Sequence, residues 1–388
     1  MRPTVLLRIC GVVAALACLL APPASASSLR SRLGAALAGF HGPGTGALAV
    51  DLVTGKAVYA HNAAGSFLPA SNEKLALTYA ALAVLGPTFR IRTELLGEGY
   101  LVDGVVWHGD LILRGYGDPT LDSDGLLELA RRLRETGVRR VTGNLIADES
   151  WFDARRGGPG WKSYFVPEES EPLSALSVHG ADPLTTARQL RKAFRLAGIR
   201  VHGRTRVARA GGWPLAMRYS PPLTEILRQM DVESDNHTAE LLLKQLGAVV
   251  GRGGSTTAGA AVVRAVLADH QVPLAGVRIA DGSGLSSLDR MTPKTLVTIL
   301  QRAWADPEIG PALMEVLPVA GRDGTLRHRM RSAPARGNVR AKTGTLTNAS
   351  ALSGYVRNRY AFAILQNGSR LWAAHAAQDR FAAVLAAE

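Results

Sequence analysis

The sequence predicts an α+β chain of two units, a smaller α/β unit inserted into a larger one, and three observations predict it. Helical and strand-like stretches are segregated rather than alternating, which argues against a doubly wound sheet. The texture changes over residues 89–215, where glycine-punctuated alternation replaces helical spacing. Of the 388 residues, 47% are hydrophobic and 20% charged, enough apolar material for two cores and too much for a disordered chain.

The elements follow in order. Residues 28–40 carry helical apolar spacing, and residues 47–52 and 57–60 read as a strand pair turned at Thr54-Gly55. Pro69-Ala70-Ser71 opens a helix running to about residue 85, where Gly86-Pro87 stops it. Residues 89–113 alternate as strands broken by Gly97, Gly99 and Gly104, followed by a helix at 124–136 and a strand at 140–146. Residues 150–178 are rich in aromatics, proline and glycine and read as a long loop, a feature more often functional than not. A helix at 183–197 and a strand at 201–207 complete the inserted unit. From residue 224 the pattern is helical again, broken at 247–254, with helices at 258–270 and 292–305. Residues 339–342, 352–357 and 360–366 read as adjacent antiparallel strands, and 371–385 as a closing helix. That helix has no basic face, so its apolar stripe belongs to the core. The expected division is 27–88 plus 216–388 for the larger, discontinuous unit and 89–215 for the insertion.

The first 26 residues stand apart. Arg2 and Arg8 give a positive start, residues 9–21 are an unbroken apolar run, and Ala24-Ser25-Ala26 is a small-residue cleavage site. The run is too short to span a bilayer. Residues 1–26 are therefore expected to be a cleaved export signal, leaving no stable membrane anchor and an extracellular, cell-wall or periplasmic protein. Both cysteines, Cys10 and Cys18, fall inside it. That excludes a disulfide scaffold and a cysteine-based zinc framework. Losing the segment removes two arginines and no acid, so the net charge of +13 becomes +11. Outside the cell such a charge meets anionic envelope polymers, and no nucleic-acid partner is expected.

Only seven of the 45 basic residues are lysines: Lys56, Lys74, Lys162, Lys192, Lys244, Lys294 and Lys342. Arginine stays protonated, whereas lysine can lose its proton when buried. A lysine kept in an arginine-rich chain is a candidate for that chemistry.

Three short motifs stand in order: Ser71-Asn-Glu-Lys74, Ser234-Asp-Asn236 and Lys342-Thr-Gly344. Each alone is weak, and together they form a trio tied to serine acyl transfer. Residues three apart share a helix face, which puts Lys74 one turn from Ser71. A serine hydroxyl needs a base to take its proton. Lys74 can be that base if burial and a second cation, Lys342, lower its pKa. The helix start puts backbone N–H groups near Ser71, half of an oxyanion hole, and the Thr345 N–H would supply the other half. The Lys342 ammonium and Thr343 hydroxyl can grip a substrate carboxylate, and Gly344 would let a substrate backbone approach. Ser234 can relay a proton between Lys74 and the leaving nitrogen, and Asn236 can bond the substrate amide. None of the nine histidines forms an H-E-x-x-H pair, so no metal and no cofactor is expected.

With these motifs the chain resembles the D-alanyl-D-alanine carboxypeptidase/endopeptidase family, the type-4 (class C low-molecular-mass) penicillin-binding proteins of serine peptidase family S13. The likeness spans nearly the whole chain after residue 26. It includes Leu68-Pro-Ala-Ser-Asn-Glu-Lys-Leu75, Gly115-Tyr-Gly-Asp-Pro-Thr-Leu121, Gly158-Pro-Gly-Trp161, Asp281-Gly-Ser-Gly-Leu-Ser286, Gly321-Arg-Asp-Gly-Thr-Leu326 and Ser353-Gly-Tyr355. The resemblance implies a penicillin-binding transpeptidase/β-lactamase-like domain, an antiparallel sheet flanked by helices, with an inserted smaller domain. It implies peptidoglycan stem peptides as substrates, an acyl-enzyme on Ser71, and β-lactams as inhibitors. Catalysis would rest on Ser71, Lys74, Ser234, Asn236 and Lys342, and substrate binding on Thr343, Gly344 and Thr345. Arg329 aligns with a family arginine that meets a carboxylate of the stem-peptide diamino acid. Relatives place an acid in the loop after the Gly-Pro-Gly-Trp stretch; no Asp stands there, and Tyr164 or Glu168 is the candidate replacement.

Two other readings have distinct signatures. A serine β-lactamase of class A needs a glutamate in an E-x-x-L-N loop, which Glu171-Pro-Leu-Ser-Ala175 does not match. A catalytically silent wall-binding or penicillin-sensing module would not be acylated on Ser71.

Overall fold

Two sheets, each with its own core, are built from separate stretches of the chain. The computed structural model describes residues 28–40, 44–368 and 370–388, so the expected export signal at 1–26 lies outside the described residues.

The chain opens with α1 (Leu29–Ala36), capped by Ser28, whose hydroxyl accepts from Ser31 N–H. The hairpin β1 (Thr45–Asp51) and β2 (Ala57–His61) leads to a 3-10 turn at Ala70–Asn72, which runs into α2 (Glu73–Leu85). Next come β3 (Arg92–Val102), β4 (Val106–Gly115), α3 (Ser123–Glu135), β5 (Arg140–Val141), β6 (Leu145–Asp148), the short turn α4 (Phe165–Glu168), α5 (Pro183–Leu196), β7 (Arg200–Val201), β8 (Thr205–Val207) and β9 (Trp213–Tyr219). The helices α6 (Leu223–Glu233), α7 (Asn236–Val249), α8 (Thr256–Asp269), α9 (Pro293–Ala305) and α10 (Ile309–Val316) follow. The strands β10 (Val339–Leu346), β11 (Ala349–Val356) and β12 (Tyr360–Asn367) and the helix α11 (Leu371–Ala386) close the chain.

The first sheet is antiparallel with strand order β10-β11-β12-β1-β2, so both ends of the chain build it. Its two faces are covered. On one side Leu33, Leu37, Phe381 and Leu385 of α1 and α11 pack on Phe362 and Ile364. On the other, Leu75, Leu242 and Leu300 from α2, α7 and α9 pack with Tyr355 and Leu365. Every residue of β11 is buried, which is why this strand reads as an apolar run rather than an alternation. The strand β10 is left as an edge, with Lys342 opposite Ser353.

The second sheet, order β7-β5-β4-β3-β9, is mixed, with β3 antiparallel to β4 and β9 and the remaining pairs parallel. Leu126, Leu129 and Leu133 of α3 and Leu190 and Phe194 of α5 cover one face. Each expected single strand, 140–146 and 201–207, is split in two. The splits fall at Gly143 and Gly203, where a Cβ would lie 2.2 Å from the Gly109 and Gly143 carbonyl oxygens respectively. The exposed edge strand β9 carries little apolar alternation and was not expected, and the boundary at 215–216 falls inside it. The break expected from Gly247 begins only at Val250, because α8 packs so closely on α7 that a Cβ at Gly247 would meet the Gly259 nitrogen at 2.8 Å.

Lys74, Lys244 and Lys342 are fully buried, whereas Lys56, Lys162, Lys192 and Lys294 are exposed. Lys244 is structural: its ammonium donates to Asp153 Oδ1 (2.6 Å) and the Arg155 carbonyl (2.8 Å), clamping the 150s loop onto α7. Asp153→Ala would leave that ammonium buried with one acceptor; because the Asp153 side chain is itself 33% exposed, the loss should fall short of the about 3–5 kcal/mol of a fully buried pair. Urea unfolding should record the loss, whereas Lys244→Met, which removes the buried charge itself, should cost less.

Candidate active site

The three motifs converge from different elements. Ser71 sits in the 3-10 turn ahead of α2, between Ala70, whose φ of +48° is unusual for a residue with a Cβ, and buried Asn72. Asn72 Nδ2 donates to the Lys342 carbonyl (3.0 Å), locking this turn to β10. Ser234 ends α6 in the left-handed region, φ +63°, and Asp235 caps α7 by accepting from the His237 and Thr238 N–H groups. The sharp corner turns Ser234 toward β10 and places Asn236 in the first turn of α7.

Lys74 Nζ makes three contacts: Ser71 Oγ at 3.0 Å, Asn236 Oδ1 at 2.8 Å and the Ser283 carbonyl at 2.8 Å. The last two are acceptors only. They therefore take the two N–H bonds of a neutral amine and leave its lone pair for the Ser71 hydroxyl. Burial lowers the Lys74 pKa to about 8, against the pull of Asp231, Asp281, Asp235 and Glu240. Lys342 is pushed down as well, first by burial and then by the charge on Lys74, with Asp231 opposing. Of the two causes expected, burial is the leading one for Lys74, and the repulsion between the two lysines shows on Lys342. Asp231, buried between them and accepting from Thr78 Oγ1 (2.7 Å), is raised to about 6 by burial, with Lys342 holding it down.

The other expected roles sort themselves by place. Lys342 Nζ donates to Ser234 Oγ (2.8 Å), so Ser234 is joined to Lys342 rather than to Lys74. Asn236 has both ends engaged, since its Nδ2 donates to the Glu169 carbonyl (2.9 Å). A cleft of about 450 Å³ is lined by Ser71, Ser234, Asn236, Thr343 and Thr345, and by Tyr164, Phe165 and Glu169 from the long loop. Glu168 lines the neighbouring cavity with Asp118, Glu171 and His237 instead. The Arg329 guanidinium is turned to α11, pairing with Asp379 (2.7 Å) and Gln378 Oε1 (3.0 Å), and does not line the cleft. Gly344 faces the protein, not the cleft: a Cβ there would lie 2.7 Å from the Pro69 carbonyl oxygen. Its small size lets β10 dock on the turn that carries Ser71.

Sequence reasoning missed two groups at the site. The Ser283 carbonyl is a backbone atom with no side-chain signature, although the Asp281–Ser286 stretch around it was noticed. Glu240 lies fully buried on α7 beneath that stretch, and its Oε1 accepts from the Gly282 and Ser283 N–H groups (2.9 and 2.8 Å). Among the described residues no group of His, Cys, Asp and Glu is arranged to hold a metal ion, and no helix is long and apolar enough to cross a membrane.

Known proteins carry the same architecture. The crystal structure of penicillin binding protein 4 (dacB) from Haemophilus influenzae superposes with a TM-score of 0.81 at 24% identity, covering 91% of this chain and 98% of that one, a likeness of fold. In sequence, a D-alanyl-D-alanine carboxypeptidase from Actinomadura sp. (strain R39) is 32% identical over 88% of this chain and 81% of its own. The Carboxypeptidase DacB of Mycolicibacterium smegmatis is 30% identical over 90% and 82%. The match to the family pattern runs over residues 35–166 and 165–388, and on that span the chain belongs to the D-Ala-D-Ala carboxypeptidase 3 (S13) family.

Proposed function

We propose that this chain is a serine DD-peptidase that cuts peptidoglycan stem peptides beside a D-alanine carbonyl and is trapped by β-lactams as an acyl-enzyme. The observation that carries this reading is the Lys74 amine, 3.0 Å from Ser71 Oγ with two acceptor-only partners beside it.

The substrate's terminal carboxylate lies along β10, drawn by the buried Lys342 charge and bonded by the Thr343 and Thr345 hydroxyls. Its scissile carbonyl sits between the Ser71 and Thr345 N–H groups, which receive the developing oxyanion. Ser71 Oγ attacks and its proton passes to Lys74. The C–N bond then breaks as the leaving nitrogen takes the proton held by Lys74, with the Ser234 hydroxyl, bonded to Lys342, facing the same cleft. Water, deprotonated by the same lysine, releases the acyl group and restores Ser71. A β-lactam follows the first half of this path, but its opened ring keeps the leaving nitrogen attached, and the ester persists. Tyr164, Phe165 and Glu169 form the wall that meets the side chain of the diamino acid preceding the two alanines. Arg329 and Glu168 have partners or positions elsewhere, so they contribute at most from the rim. Residues 1–26 are read as the export signal that delivers the enzyme to the wall, and the second sheet as a domain inserted in the first, its end moved from 215 to about residue 219.

Incubation with pentapeptide muropeptides and with cross-linked dimers tests the reading by mass spectrometry. Loss of D-alanine alone defines a carboxypeptidase, and conversion of dimers to monomers an endopeptidase. No Ser71-dependent product from either substrate contradicts the proposal.

A further inference from the structure

The general base has a second requirement besides a lowered pKa: its lone pair must be aimed. A neutral Lys74 faces Ser71 only while both of its N–H bonds are held by Asn236 Oδ1 and the Ser283 carbonyl. The Ser283–Gly284 peptide is planar and trans, so its C=O and N–H point in opposite directions. Lys74 meets the oxygen end. The N–H end donates to Asp281 Oδ1 at 2.8 Å. Asp281 Oδ2 accepts from Ser286 N–H (2.7 Å), Ser283 Oγ (3.3 Å) and the indole Nε1–H of Trp161 (2.7 Å).

We propose that Asp281 and Trp161 are positioning residues for Lys74: Asp281 fixes the peptide plane that presents the Ser283 carbonyl, and Trp161 fixes Asp281 from the loop that walls the cleft. The inference rests on reading Lys74 as the base of Ser71. Gly284 belongs to the same device. With φ +83° and a would-be Cβ 1.9 Å from the Ala70 carbonyl oxygen, it seats this plane directly on the nucleophile's turn. Trp161 is half-buried and meets Phe165 edge-on, with ring centroids 6.3 Å apart. Phe165 lines the cleft, so one aromatic contact separates a bound side chain from the bond that aims the base.

The surrounding charges single out Asp281 among four buried carboxyls. Both oxygens of Glu73, Oε2 of Glu240 and Oδ2 of Asp289 have no hydrogen-bond partner among the described residues, whereas both oxygens of Asp281 do. Burial, and then the Asp281 charge, raises Glu73 and Asp289 well above the usual carboxylate range and Glu240 to about 8. Asp281 is thus the one carboxyl of the four whose two oxygens are both held by donors. The charges on Asp231, Asp281 and Asp235 oppose the effect of burial on Lys74, with Glu240 adding to them where it is ionised. Lys342 is the neighbouring cation, itself held down by the charge on Lys74.

The test follows acylation by a chromogenic cephalosporin in stopped flow, separating the limiting acylation rate from the preceding binding constant. Trp161→Phe keeps the ring and removes the donor. It should lower the limiting rate by about ten- to a hundredfold, the scale of a misaimed group, with the binding constant within twofold and the melting temperature nearly unchanged. Asp281→Asn loses rate as well, because an amide cannot accept from the Gly284, Ser286 and Trp161 donors together. A purely structural role would instead lower the melting temperature, or move the binding constant, without a fall in the limiting rate. A folded Trp161→Phe protein that acylates within twofold of wild type overturns the inference, and it decides the matter alone should Asp281→Asn fail to fold. If wild type itself is never acylated on Ser71, the functional reading fails rather than this inference.

Discussion

Ser71→Ala is expected to lower D-alanine release by about 10⁶-fold, the scale seen when the serine nucleophile is removed from an otherwise intact serine hydrolase site. The size follows from chemistry. The proposed route runs through a covalent ester, and alanine offers no atom to form it. The fold should survive. Among the described residues Ser71 Oγ hydrogen-bonds Lys74 alone, and Lys74 keeps its bonds to Asn236 and the Ser283 carbonyl. Circular dichroism and the melting temperature should match wild type while product formation falls to background. A folded Ser71→Ala protein with wild-type turnover would remove the nucleophile from the account.

Lys74 carries the second large effect. Loss of a positioned general base costs about 10²–10⁴-fold, and Lys74→Met should fall in that range. Lys74→Arg should not rescue it, because a guanidinium stays protonated at working pH and has no lone pair for the Ser71 proton. The wild-type rate should climb with pH along a limb centred near 8, since the neutral amine is the active form and burial sets its pKa to about 8. That sign is fixed by the site: more neutral lysine, more deprotonated serine at the moment of attack. Both variants should lose the limb. A limb at the same pH in Lys74→Met would assign the titration to another group, with Lys342 the next to test.

What the sequence disclosed and what it hid divide along physical lines. Ser71 and Lys74 share a helix face by spacing alone, and a lysine kept in an arginine-rich chain marked both buried ammonium groups of the site, Lys74 and Lys342. The strands β11 and β12 were legible as short, mostly apolar runs bounded by turns, and the start of β10 from the alternation of Val339 and Ala341 with Arg340 and Lys342. The wall of the cleft was not. It comes from a loop without periodicity, where neighbours differ: Glu169 reaches both the cleft and the next cavity, Glu168 only the latter. Arg329 was expected at the substrate, but its ion pair to Asp379, fifty residues on, draws the guanidinium to α11. Gly344 was read as room for substrate, whereas the space it leaves is filled by the Pro69-Ala70 turn. The Trp161–Asp281 bond joins residues 120 apart in sequence, and no local pattern announces it.

The most direct single measurement is intact-mass and peptide-mapping analysis of the protein, from residue 27 on, after brief exposure to benzylpenicillin. The account predicts one added penicilloyl group, on the peptide that carries Ser71, and none on Ser71→Ala. An unmodified protein, or an adduct on any other residue, would contradict it.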